Sequence, residues 1–315
     1  MPAPGRRPGE RLGCAPVRAR IVLVYVAIAF LWGSTWAVIR IGLEHLPPLR
    51  FAGIRMALAA AILAPFALRG GAWRVLAGEV GPRVAVVGLF QIAIPYGLMF
   101  VAQQWVPSGL AALLFASFPV WISLLARVFL PGERLTPAKL ASAALGVAGI
   151  AVLQWPHLGS LEGSGELALG SALIVSASIV VAIANVLVRR HLVAVTPLAM
   201  TAGQTFVGAV VLLVAALVFE SGRPAAYVPA ALAALAYLAV FGTALTYIGL
   251  YWLVPRVPIA AIGALPLLDT TVAVSLGALL LGESLGWHLA LGGAMVLAAA
   301  ALATRDAPRT SDGGA

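Results

Sequence analysis

Leu130-Pro131-Gly132-Glu133-Arg134-Leu135 closes one long apolar run of this chain, and Leu281-Gly282-Glu283-Ser284-Leu285 closes another about 150 residues later. Working back from each, the same landmarks recur. Tyr96 precedes Val106-Pro107 in the first half, and Tyr247 precedes Val257-Pro258 in the second. Pro48-Leu49 leads to Arg55, and Pro197-Leu198 leads to Gln204 at the same spacing. The chain reads as one design written twice, with five apolar segments in each half. Five is odd, so the second copy enters a membrane from the side opposite the first. Inverted repeats of this kind build many secondary transporters, whose halves meet at the bilayer midplane.

Composition sets the solvent. The 315 residues are 62% hydrophobic and 10% charged, with a mean hydropathy of +1.03. A soluble domain carries roughly 45–50% apolar and about 25% charged residues. The partner of this surface is therefore a lipid bilayer. The net charge of +9 does not signal nucleic acid, because the basic residues sit in short loops and tails rather than on one face. Cys14 is the single cysteine, which excludes an intrachain disulfide, a thiolate metal site and an iron–sulfur cluster.

The pattern predicts an all-α integral membrane protein of ten transmembrane helices in two inverted-topology five-helix repeats. The first repeat (21–155) holds spans Ile21–Ile39, Leu49–Leu68, Val84–Val101, Ser108–Leu130 and Thr136–Leu153. The second (166–303) holds Leu167–Val188, Leu198–Phe219, Val228–Leu253, Ile259–Leu281 and Trp287–Ala303. Most have the ~20 residues that a hydrocarbon core requires. The fifth and tenth are short and rich in Ala and Gly, which suits packing helices. The tails, 1–20 and 304–315, are rich in Pro, Arg and Gly and are expected to be disordered. The first span is too long for a signal-peptide core. It carries Trp32 and Trp36 and runs into Arg40 without a small-residue cleavage site, so it reads as an uncleaved helix.

Orientation follows from the cations. With a cytoplasmic N-terminus, Arg6, Arg7, Arg11, Arg18, Arg20, Arg69, Arg74, Arg83, Arg134, Lys139, Arg189, Arg190, Arg256, Arg305 and Arg309 face the cytoplasm. Outside lie Arg40, Arg50 and Arg223. The positive-inside rule selects this orientation, with both termini cytoplasmic.

Two stretches carry a family resemblance. GLAALLFASFPVWISLLARVFLPGERLTPAKLASAALGVAGIAVL, from Gly109 to Leu153, resembles the fourth and fifth helices of the EamA-type transporters of the drug/metabolite transporter superfamily. LWGSTWAVIRIGLEHLPPLRFAGIRM, from Leu31 to Met56, resembles that family's first two helices, and Gly282-Glu283 repeats the Gly-Glu helix end. The similarity spans roughly residues 21–303. It implies a multi-pass inner (plasma) membrane permease of metabolites, often an exporter of amino acids or toxic small molecules. One departure is visible. Pro119 follows the family's pattern, but the matching place in the second half is Asp269, with the proline at Pro266.

Polar and aromatic residues within the spans are the candidates for a pathway. Trp32, Thr35 and Trp36 share one helix face. That face is suited to stacking a planar or cationic substrate, or to packing and interfacial anchoring. Tyr96 and Tyr247 are expected to form two walls of one pathway. Gln91 and Gln103 flank Tyr96. Asn185 and Gln204 can orient a substrate or tie helices together. Pro95, Pro119 and Pro266 each remove a helical hydrogen bond, making hinges or static kinks. Glu133 and Glu283, at repeated helix ends, are expected to cap the following helix.

Asp269 lies deep in a span, where an ionised carboxylate costs about 2.5–3.5 kcal/mol. It persists there if paired, protonated or facing water. Arg55 is the candidate partner, and proton uptake, cation binding or capping next to Pro266 are the candidate roles. The expected function is a secondary transporter of small metabolites such as amino acids or amines, working by alternating access, with proton coupling as one mode. A channel-like facilitator is the alternative, and an integral membrane enzyme a more distant one. His45, His157, His191 and His288 sit in loops or at helix ends without ligand spacing, so no metal, cofactor or acid–base cluster is expected. The partners are a small-molecule substrate and lipid, with the chain acting as a monomer or homodimer.

Overall fold

The computed structural model describes residues 14–129, 136–154, 164–257, 261–262, 265–283 and 286–305. The distal parts of both expected tails lie outside them, as do Glu133, Pro258 and His157. Among the described residues the regular structure is entirely helical. The helices are α1 (Cys14–Leu43), α2 (Pro48–Arg69), α3 (Gly81–Ala102), α4 (Ser108–Phe129) and α5 (Pro137–Gln154). The second set is α6 (Ser164–His191), α7 (Pro197–Phe219), α8 (Pro229–Leu253), α9 (Leu265–Leu281) and α10 (Trp287–Arg305). A short helix, Ala72–Ala77, joins α2 to α3. Among the described residues seven helices, α1–α4 and α6–α8, are long and apolar enough to cross a membrane; α9 and α10 carry shorter apolar stretches.

The ends follow from local chemistry. Proline opens α2, α5, α7 and α8, where its missing N–H has no helical partner to lose. The Thr196 side chain accepts from the Ala199 amide at the start of α7. α1 begins at Cys14, seven residues before the expected Ile21, because the helix carries on through Arg18 and Arg20, where backbone bonding continues past the apolar run.

Among the described residues three helices are interrupted, and each break has a named cause. In α3 a π-helical turn covers Leu89–Ala93. Pro95 follows directly; it cannot donate to the Gln91 carbonyl four residues back, and its ring crowds that carbonyl, so the chain takes in an extra residue. In α8 a π-helical turn covers Val240–Leu245. No proline is present there. Instead the Thr243 hydroxyl donates to the Leu238 carbonyl, five residues back, at 2.9 Å. α4 loosens at Ala116-Ser117, just before Pro119, and the Ser117 hydroxyl donates to the Leu114 carbonyl at 2.8 Å.

The two halves interleave. α2 packs on α7, α5 on α10, and α1 on α9, while α6 packs against α3 and α4. The α5–α10 seam is set by Gly149 and Gly292: a Cβ on Gly292 would lie 2.9 Å from the Gly149 carbonyl oxygen, so only glycine lets the two backbones meet. At the α1–α9 seam a Cβ on Gly33 would lie 2.5 Å from the backbone oxygen of Asp269. The outer surface carries exposed Leu, Val and Phe, such as Leu217, Phe219 and Leu279, as lipid contact requires.

Candidate functional site

The interleaving leaves a cavity of about 80 Å³ between the halves, several times the ~10–15 Å³ that admits one water. Its walls include Trp32, Trp36, Tyr96, Asn185, Tyr247 and Asp269, which stand far apart in the sequence. Thr35, Gln91 and Pro266 also line it. Of the residues expected on a pathway, Gln204 is the one placed elsewhere. It is fully buried behind the wall, where its Oε1 accepts from the Tyr251 hydroxyl at 2.6 Å while its Nε2 has no partner. Gln103 is likewise outside the cavity, with both amide atoms buried and unpartnered.

Aromatic rings make most of the wall. Trp32 meets Tyr247 edge-on with ring centroids 5.7 Å apart, and Trp36 meets Phe115 at 5.7 Å. Phe115 stacks on Phe118 at 6.2 Å. The Tyr96 and Tyr247 hydroxyls, one from each half, lie 3.3 Å apart. Asn185 donates to the Gln91 Oε1 at 3.1 Å and to the Val181 carbonyl at 2.9 Å, so it ties α6 to α3 while facing the cavity. Phe115, Phe118 and Met99 were not singled out by the sequence. Their only signal was position near the α4 break and beside Tyr96.

The structure does not bring Arg55 to Asp269. The Arg55 guanidinium is fully buried and turns to the π-helical turn of α8, donating to Thr243 Oγ1 at 2.8 Å and to the Gly242 carbonyl at 2.9 Å. It lies 4.9 Å from the centre of the Tyr96 ring, behind the cavity wall, and its Nη1 has no partner. The physical reason is reach: an irregular turn with a free carbonyl is directly opposite α2, and the cation takes it. Asp269 faces the cavity and is 4% exposed. Thr270 approaches its Oδ1 at 3.4 Å, while the Pro266 carbonyl accepts from the Thr270 hydroxyl.

Glu283 also departs from expectation. It does not cap the following helix. Its Oε1 accepts from the Ser108 amide and hydroxyl, both at 2.7 Å, and its Oε2 from the Gly109 amide at 2.9 Å. A carboxylate at a helix N-terminus satisfies orphan donors and meets the positive end of the helix dipole; here it does so across the halves, from the end of α9 to the start of α4. Glu220, which no repeated motif marks in the sequence, repeats the arrangement from the end of α7 to the start of α2, accepting from the Leu49 and Arg50 amides at 2.8 Å each. A second recurring device is cationic. Arg40 of α1 donates to the Gln103 and Gln104 carbonyls at the end of α3. Arg189 of α6 donates to the Val254 carbonyl at the end of α8, at 2.9 Å. Among the described residues no three His, Cys, Asp or Glu side chains form a metal-binding group.

A helical membrane protein built twice over, with a central cavity walled by both copies, has the form of a transport protein. The EamA-like transporter family matches residues 19–155 and again 168–305, so the chain belongs to that family. It is 34% identical over 273 residues to the "Uncharacterized inner membrane transporter YedA" of Escherichia coli (strain K12), covering 84% of this chain and 85% of the relative. It is 28% identical over 287 residues to the "Probable terminal-alkyne amino-acid exporter" of Streptantibioticus cattleyicolor, covering 91% and 94%. A crystal structure at 23% identity superposes with a TM-score of 0.65 over 93% of this chain and 99% of the other, a likeness of fold alone.

Proposed function

We propose that the chain is a ten-span secondary transporter that exports small metabolites, amino acids or amines among them, across the inner membrane by alternating access. The observation that carries this reading is the cavity walled by both copies, with Tyr96 and Tyr247 meeting across it. A cavity shared by two like halves is the arrangement in which one half rocks against the other around a fixed site. α5, α9 and α10 complete the ten spans, and the odd number in each half inverts the second copy. The cationic loops then set both termini in the cytoplasm. The interrupted helices α3, α4 and α8 border the cavity, and Pro95, Pro119 and Pro266 sit where a hinge acts on it. Among the described residues Asp269 is the one carboxylate on the cavity wall and so the group through which a proton gradient would couple. The name of the alkyne amino-acid exporter supports export of amino-bearing solutes.

The test is flux in proteoliposomes against amino acids, amines, purines and sugars, with and without a pH gradient. A carrier gives saturable flux that rises when unlabelled substrate is placed on the opposite side. Flux that never saturates and ignores the opposite side would make the protein a channel.

A further inference from the structure

We infer that the cavity selects a ligand carrying an ammonium group on a small apolar body, with Asp269 as its counter-ion and the aromatic walls as its cage. The inference rests on the transport reading above for its biological use, but not for its chemistry. Among the described residues that line the cavity, Asp269 is the sole ionisable group other than the two tyrosines, and none is basic. Arg55 stands behind the Tyr96 ring with its guanidinium bonded to Thr243 and Gly242, so it does not meet the carboxylate. A buried carboxylate that faces a cavity without a cation beside it leaves a place for one.

The remaining walls have the chemistry to fill that place with an organic cation rather than a metal ion. Six rings, those of Trp32, Trp36, Tyr96, Phe115, Phe118 and Tyr247, present π-faces and edges around the cavity. Aromatic faces attract ammonium groups, Trp most strongly, and the attraction grows when water is excluded. A hard divalent cation would need several oxygen ligands, and the wall offers one carboxylate. An anion would meet Asp269 with no compensating charge on the wall. The Tyr96 and Tyr247 hydroxyls bond to each other, which leaves one O–H of the pair as a donor that a carboxylate on the same ligand can use, with the Arg55 cation beside the Tyr96 ring. Amines and amino acids therefore share the required ammonium group and differ at this end.

The experiment is binding to the purified, detergent-solubilised full chain, read by displacement calorimetry and by the change in intrinsic tryptophan fluorescence, to which Trp32 and Trp36 contribute among eight tryptophans. The probes are 2-phenylethylamine, 2-phenylethanol, 3-phenylpropionate and phenylalanine. Loss of a charge-assisted contact corresponds to about ten-fold or more in affinity, so the amine should bind at least that much tighter than the alcohol and the propionate. Phenylalanine matching the amine assigns the site to amino acids; phenylalanine well below the amine but above the propionate assigns it to simple amines. Asp269→Asn should erase the preference for amine over alcohol, and Asp269→Glu should keep it. Equal binding of the amine, alcohol and propionate by the wild-type chain overturns the inference without recourse to any variant. Flux of uncharged or anionic solutes with no ammonium preference would sink this inference and leave the transport reading intact; amine binding without flux would do the reverse.

Discussion

The two halves differ most where they are most alike in backbone. α3 and α8 each carry a π-helical turn at the matching place. In α3 it is imposed from within by Pro95. In α8 it is held by Thr243 and by Arg55 reaching over from α2. The place in α7 that matches Arg55 holds Gln204, which reaches Tyr251 instead. In the same way, Pro119 of α4 is matched by Asp269 of α9. The scaffold is duplicated, but the residues at these matched places are not: the first half has the buried Arg55 cation where the second has Gln204, and the second has the buried Asp269 carboxylate where the first has Pro119. In the proposed alternating-access cycle the symmetric frame would supply two similar end states, and the unsymmetric chemistry gives the cavity wall its polarity. Under that proposal, the polarity is what would tell substrate from water.

Making the halves alike should do the most damage. Arg55→Gln writes the second half's residue into the first and removes two charge-assisted bonds from the α8 turn, each worth about 1.5–3 kcal/mol. Transport should fall by about ten-fold or more, measured as initial flux at equal reconstitution. Gln204→Leu removes one neutral bond and should change flux by less than about three-fold. Equal effects would mean that the difference between the halves is incidental.

The tyrosine pair comes next. Tyr96→Ala and Tyr247→Ala should each lower flux by about five- to ten-fold with membrane insertion retained, because each removes a wall of one cavity and an aromatic contact of about 0.5–1.5 kcal/mol. Phe at either position restores flux if the ring faces matter and fails to if the hydroxyls do. Wild-type flux in both alanine variants would reduce the pair to packing.

The side chains that cap helix starts give a graded series in stability. Glu283→Ala orphans three donors, Glu220→Ala two, and Thr196→Ala one. The expected losses run from about 3 kcal/mol through about 2 to about 1, read from unfolding midpoints in detergent. A reversed order would show that the ties between halves do not hold the fold together.

The smallest effect concerns orientation. Cys14, the sole thiol, should resist an impermeant maleimide in intact cells and react after permeabilisation. Labelling of intact cells would invert the assignment of inside and outside.

Much of the frame was legible in the sequence because apolar length and spacing are local properties. The matched prolines before α2 and α7, the paired tyrosines and the Gly-Glu ends were enough to find the duplication, and the family match to both halves agrees with it. Trp32, Trp36, Tyr96 and Tyr247 stand out in the sequence as large polar rings within spans, a pattern that fits packing or interfacial anchoring as well as a pathway; that they line one cavity follows from tertiary placement. What was not legible depended on reach across the fold. Arg55 was matched to Asp269 on charge alone, whereas a free carbonyl at a π-helical turn, which no hydropathy pattern reveals, was the nearer partner. Glu283 was assigned to its neighbour in sequence, while its neighbour in space is the start of α4. Arg40 and Arg189 stand at matching places in the sequence too, and that signal was present but lost among the loop cations.

The central claim is that the cavity between the halves is a site open to each side of the membrane in turn. Met99 lines it without a polar role, so Met99→Cys in a Cys14→Ser background reports on it alone. An impermeant thiol reagent applied to right-side-out and to inside-out vesicles should modify this position from both faces, and substrate should slow both reactions. Modification from one face only, unchanged by any transported solute, would contradict the account.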